Sequence, residues 1–297
     1  MKRLAGAALR LLRVASLVLL AVLGTMALLR FAPGYFSDSR ELDAEHSSIV
    51  RQQLQSQQQR EGSFAAMATS QLRSWMHGDL GRSRQFDAPV SSLLHDRIRT
   101  TARLLAGSIL AGWLIALIFA LPLSLRRGSS GEIWIALPVA LLLAIPAGAM
   151  ATACLLANTG GPMLVLASVI AVRDFKLVYS LLRQISSAPQ LLYARAQGFS
   201  TARIIRAHLL PSLPGELLAL AMTSFVLALS AIVPIEVIFD VPGLSQLAWN
   251  AAMNRDLPVL LAVTLLLAVC IGVAALCSDL ANSREGASNT EREPACA

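Results

Sequence analysis

The chain has 297 residues, 55% of them apolar and only 14% charged, with a formal net charge of +7 at pH 7. This balance, with a mean hydropathy of +0.61, excludes an ordinary water-soluble domain and points to a protein with much of its surface in lipid. The basic excess does not indicate nucleic acid, because the positive residues are spread over short segments between oily runs and form no single patch.

Six runs approach the roughly 20 apolar residues that a helix needs to cross a bilayer core: 14–31, 102–125, 133–157, 162–182, 214–236 and 257–281. In lipid the backbone must satisfy its own hydrogen bonds, and runs of this length do so as helices. The predicted fold class is an all-α polytopic membrane protein with six transmembrane helices.

In chain order, a basic segment 1–13 with Lys2, Arg3, Arg10 and Arg13 precedes the first run. That run is long from Val14 to Leu29 and has no small-x-small cleavage site before Pro33, so it reads as an uncleaved signal anchor. The segment 32–101 is the only sizeable polar part. Its stretch RQQLQSQQQR (51–60) is a solvated helix or loose loop, and Ser63 to Trp75 has the apolar spacing of a short amphipathic helix. MHGDLGRS (76–83) reads as a turn, with Gly78 and Gly81 supplying torsional freedom and Asp79 able to bond nearby backbone. The fourth run is the least regular: it is apolar from Pro162 to Val172, then Arg173, Asp174 and Lys176 follow. A polar helix end is the preferred reading, and a buried functional charge cluster is the alternative. After the sixth run, the tail 282–297 is polar, lacks large apolar residues and is expected to be disordered.

Orientation follows from where the basic residues lie. Residues 1–13, Arg126 with Arg127, and the loop 183–213 carry the excess, whereas 158–161 has no charge and 237–256 is mixed. The positive-inside bias therefore puts both termini and the 183–213 loop in the cytoplasm and 32–101 outside.

Several chemistries are missing. Lys2 and Lys176 are the only lysines and neither follows a glycine, so the chain supplies no phosphate-cradling P-loop. The four histidines are scattered without HExxH spacing, and the four cysteines have no CxxC spacing. No GxSxG elbow occurs. Neither a metal nor another cofactor is expected on this chain, and no enzyme activity of its own.

Residues 186–211 read as two short helices around a glycine. Ser186 or Ser187 can cap the first, Pro189 suits its opening turn, and Gly198 falls where a left-handed residue ends it. Ser200 caps the second, with Phe199 and Ile204 as a hydrophobic staple. Small Ala194 and Ala196 would let this unit dock closely against a partner, with Arg195, Arg203 and Arg206 serving acidic groups or lipid headgroups. An ordinary positive-inside loop remains the alternative.

The stretch ARAQGFSTARIIRAHLLP (194–211) resembles the cytoplasmic coupling loop of bacterial ABC-importer permeases, in the form found in the dipeptide/oligopeptide/nickel family. Ala194, Arg195, Ala196, Gly198, His208 and Pro211 match, while Gln197 stands where lysine is common. IEVIFDVPGLSQL (235–247) with NRDLP (254–258) is similar to that family's outer block, through Glu236, Phe239, Pro242, Gly243, Leu244, Arg255, Asp256 and Pro258. LLRFAPG (28–34), GDLGRS (78–83) and PVSSLLHDRIRTT (89–101) resemble its upstream blocks, in order. The sequence between 160 and 193, the Gln-rich 51–60 loop and the absence of D-P-R after the last span depart from the pattern.

The resemblance implies a type I importer permease fold in the bacterial inner membrane, with a core over 102–281. It implies a pore shared with a second homologous permease, two cytoplasmic ATP-binding subunits, an external solute-binding protein, and a peptide-like or nickel-type solute. It also implies ATPase coupling through 183–213 and an outer pore block around Glu236, Phe239, Pro242, Gly243, Arg255 and Asp256. Read from the residues themselves, Pro242 and Gly243 break what could be continuous helix, so a partly buried re-entrant turn is expected there, with Glu236 and Asp256 either contacting solute or binding protein or else capping helices or pairing with Arg255. A secondary transporter and a non-transporting membrane scaffold are the competing classes.

Overall fold

The computed structural model describes residues 2–31, 64–83, 85–125, 130–186, 198, 214–254 and 256–292. Among them every regular element is a helix. These are α1 (Lys2–Phe31), α2 (Phe64–Met76), α3 (Val90–Leu125), α4 (Ser130–Ala144), α5 (Ala147–Leu156), α6 (Pro162–Ser186), α7 (Pro214–Ile238), α8 (Leu244–Met253) and α9 (Leu257–Arg292).

Among the described residues four helices are long and apolar enough to cross a membrane: Ala8–Leu28, Val90–Ser124, Gly215–Ile238 and Leu257–Leu280. Only 11% to 33% of each apolar window is buried in protein, which leaves oily surface that only lipid or another membrane subunit can cover. Leu20, Leu110, Ile118, Phe119 and Leu141 are among the exposed side chains.

The third expected span is not one straight helix. α4 and α5 meet at an angle of 85°, and counting them as one broken span brings the total to five. Pro146 is the cause: its ring removes an N–H and disfavours helix at Ile145 before it, so α4 stops and α5 starts afresh from Pro146 as its N-cap. The fourth expected span exists as α6, but Arg173, Asp174, Lys176 and Arg183 keep it out of the apolar set. The helix expected at Ser63–Trp75 is found as α2. At the other end α9 stays helical to Arg292, past the boundary at 281 and into the segment expected to lack order.

The chain divides into two compact units: residues 1–99 with 242–272, and residues 100–241 with 273–297. In the first unit Val22 and Met26 of α1 pack with Ala68 of α2 and Leu261 of α9. A second cluster joins Val90 and Leu94 to Leu244, Leu247 and Ala251 of α8 and to Val259, Ala262 and Val263 of α9. Gly272 lets α1 come close to α9, since a Cβ there would lie 2.5 Å from Val14 Cγ1.

In the second unit α6 packs on α7 beside α3. Ala120, Val178 and Leu182 form the buried centre, with Trp113, Phe175, Tyr179, Leu217 and Leu220 around it. A seam of small residues brings α3 against α6: Ser108 donates its hydroxyl to the Met163 carbonyl at 3.1 Å, and a Cβ on Gly112 would sit 2.8 Å from Ile170 and 3.0 Å from the Ala167 carbonyl. Small residues are how membrane helices approach closely when hydrophobicity gives no drive between them.

Candidate functional site

The helix break expected at Pro242 and Gly243 is present. α7 ends at Ile238, and Asp240 turns the chain with φ +52 while the Val241 N–H closes onto the Glu236 carbonyl at 2.9 Å. Proline cannot continue the ladder, so Pro242 stops it, and Gly243 in extended backbone opens α8. Phe239, half-buried, belongs to this turn.

Glu236 faces the interior and is fully buried. Thr101 donates its hydroxyl to Oε1 at 2.6 Å. Both residues belong to the second unit. Glu236 thus ties α7 to α3 and presents no surface to a solute in this state.

Asp256 serves the first unit. Its backbone N–H bonds the Ala251 carbonyl at 2.8 Å, and its own carbonyl accepts the first helical N–H of α9, from Leu260, at 3.0 Å. Its carboxylate accepts the Ser83 hydroxyl and, at 3.2 Å, the Gln85 N–H. The turn it grips is built as the sequence leads one to expect. Gly78 and Gly81 have φ +77 and +86, and Asp79 Oδ1 accepts the Gly81 N–H at 2.8 Å. Pro258 lies against Gly81, where an added Cβ would be 3.5 Å from its ring. Arg97 further joins Gln246 of α8 at 3.0 Å. Two blocks singled out separately, 78–83 and 254–258, are therefore one structural joint. Its partners lie 173 residues apart, so neither block announces the other.

Of the coupling-loop residues only Gly198 is described. Its φ is +80, the left-handed conformation expected of it; it is exposed, and among the described residues nothing lies within 4 Å of where a Cβ would stand. Ala194, Arg195, Ala196, His208 and Pro211 fall outside the described residues, as does Arg255.

The preferred reading of the fourth run needs correction at one residue. Asp174 is not at an emerging polar end but is 1% exposed, with Ser224 of α7 donating to its Oδ1 at 2.7 Å. Arg173 is half-buried and Lys176 exposed, so the three charges are not a buried cluster either. The available signal was an acid inside an apolar helix; its partner on α7 was invisible. Among the described residues no group of three His, Cys, Asp or Glu side chains is placed to hold a metal ion.

Against known proteins, residues 106–284 match the model of the family described as binding-protein-dependent transport system inner membrane component. The chain is 26% identical over 245 residues to a putative peptide permease protein of Brucella ovis, covering 71% of this chain and 76% of that one. It is 26% identical over 218 residues to a putative peptide transport system permease protein of Brucella abortus, covering 64% and 69%. Over 92 residues it is 36% identical to an oligopeptide transport system permease protein of Bacillus subtilis, 29% of this chain and 28% of that one.

Proposed function

The chain belongs to the family of binding-protein-dependent transport system inner membrane components, and from that premise we propose that it forms half the translocation pore of an ATP-driven importer. Membership makes it a multi-pass permease of the bacterial inner membrane, a transport subunit and not an enzyme. The observation that carries the reading is the family match, which spans more than half the chain.

In this reading six spans cross the membrane, α4 and α5 counting as one and α6 as another, with both termini in the cytoplasm. The permease pairs with a second homologous permease, and two ATP-binding subunits dock below on the 183–213 loop. A solute-binding protein delivers cargo from outside. The solute is peptide-like, which the names of the Brucella and Bacillus relatives favour over a nickel-type cargo.

The mechanism follows from linkage: ATP can drive the spans between outward and inward access only if the two states differ in their contact energy with the ATPase. The 183–213 loop supplies that difference. Gly198 within it is turned left-handed and open to solvent. The joint at Asp256 and Ser83 holds the outer turn onto α8 and α9, giving the binding protein a firm surface.

Purification of the tagged chain from its own membrane tests the assembly. An ATP-binding subunit and a second permease should come with it at stoichiometric levels. Isolation of the chain alone, under conditions that preserve other membrane complexes, would contradict the reading.

A further inference from the structure

Asp174 stands at the middle of α6, twelve residues after Pro162 and twelve before Ser186, or about 18 Å along the helix from either end. Its partner Ser224 is likewise mid-helix, ten residues after Pro214 in α7. The carboxyl is buried, and its Oδ2 is enclosed with no hydrogen-bond partner. Its Oδ1 is undersupplied as well. The Ser224 hydroxyl has one proton, yet lies 2.7 Å from Oδ1 and 2.9 Å from the Leu220 carbonyl.

Among the described residues no ion pair to Asp174 forms on α6: the neighbouring Arg173 is half-buried and its charge acts on the carboxyl only through space, while Lys176, two residues on, is exposed. The positions that do share the face of Asp174 are apolar: Ile170, Ala171 and Val178, all buried. An acid enclosed at the centre of a membrane helix is costly and by default marks a site, here one waiting for a donor.

We propose that the Asp174 carboxylate, steered by Ser224, binds the cationic head of the solute at the middle of its passage, the α-ammonium of a peptide being the group that fits. This rests on the importer reading above. An ammonium brings the donors that Oδ2 lacks and a positive charge in direct contact, where Arg173 acts only through space. In the state described, the helices are closed over the carboxyl. It takes the ammonium when α6 and α7 part, and closing again returns it to the weakly supplied state, which favours release.

The test is uptake by the full complex in vesicles, with trialanine and N-acetylated trialanine as probes at saturating binding protein. The wild type should prefer the free amine. Asp174→Asn keeps the shape and removes the charge, and should cut trialanine uptake by about tenfold or more while leaving the acetylated peptide unchanged. Wild-type rates for Asp174→Asn would overturn the assignment, since an amide replaces a permanently neutral acid without loss. Equal loss of both peptides would make Asp174 a structural post, and loss of the second permease from the complex would give the missing donor to that subunit; either result also overturns it. Should Asp174→Asn fail to accumulate, Asp174→Glu is read instead: retained preference for the free amine sustains the site, and lost preference refutes it. Uptake of neither peptide by the wild type would refute the importer reading itself, a failure distinguishable from the others.

Discussion

Glu236, one of the residues that carry the family resemblance, sits buried between two helices of the second unit. Its burial and the Thr101 hydroxyl explain why an acid persists near the end of an apolar helix: it accepts a strong bond that holds α3 to α7. Glu236→Gln should therefore leave uptake at the wild-type rate and lower stability by about 1 kcal/mol, because the carboxyl that accepts the buried bond is replaced by an amide. Thermal unfolding in detergent, alongside uptake, measures both, and a large transport defect without destabilisation would return Glu236 to the solute path. Gly198 makes the opposite case. Its left-handed φ penalises any side chain by about 1–2 kcal/mol, and β-branched residues fit worst. Among the described residues nothing lies where the new Cβ would go, so Gly198→Val meets no clash with them. We expect a full-length, inserted protein that no longer retains its ATP-binding subunit; unimpaired co-purification would reduce the loop to a positively charged tether.

At the scale of elements, the seam between α3 and α6 decides whether the second unit packs as described. Gly112→Leu places a side chain where even a Cβ meets Ile170 and the Ala167 carbonyl, so the helices must separate, at about 1–3 kcal/mol or more. Lower thermal stability of the purified protein is the expected result, and wild-type stability would show that α3 and α6 are not apposed at this glycine. Elements were legible in the sequence where the chemistry is local. The Asp79–Gly81 turn, α2 and the stop at Pro242 each depend on neighbours within a few residues, and each is found. The 85° break between α4 and α5 was not foreseen, although Pro146 was in view, because a hydropathy run sums side chains and is blind to one missing N–H. Pairings across the chain were illegible for a different reason. Ser83 with Asp256, Thr101 with Glu236 and Asp174 with Ser224 each require knowing which helices touch.

For the whole molecule the bent pair is expected to cross the membrane and not to turn back within it. Charge argues for crossing: residues 158–161 are uncharged, while Arg126 and Arg127 before the pair and the basic loop after α6 mark the cytoplasmic side. Reporter fusions after Ser83, Gly160 and Leu247 should read outside, and those after Arg127, Gly198 and Ala287 inside. An inside signal at Gly160 would make the pair a re-entrant loop, and an outside signal at Gly198 would remove the loop from the ATPase altogether. The legible part at this scale was the family, since its motifs recur in order along the chain and the family match at 106–284 agrees. The central claim, that this permease passes a solute on ATP hydrolysed by its partners, is tested most directly by uptake into vesicles holding the purified assembly. With ATP inside and loaded binding protein outside, peptide should accumulate against its gradient only when this chain is present and Gly198 is intact. Accumulation without ATP, driven by an ion gradient alone, would contradict the account and place the chain among secondary transporters.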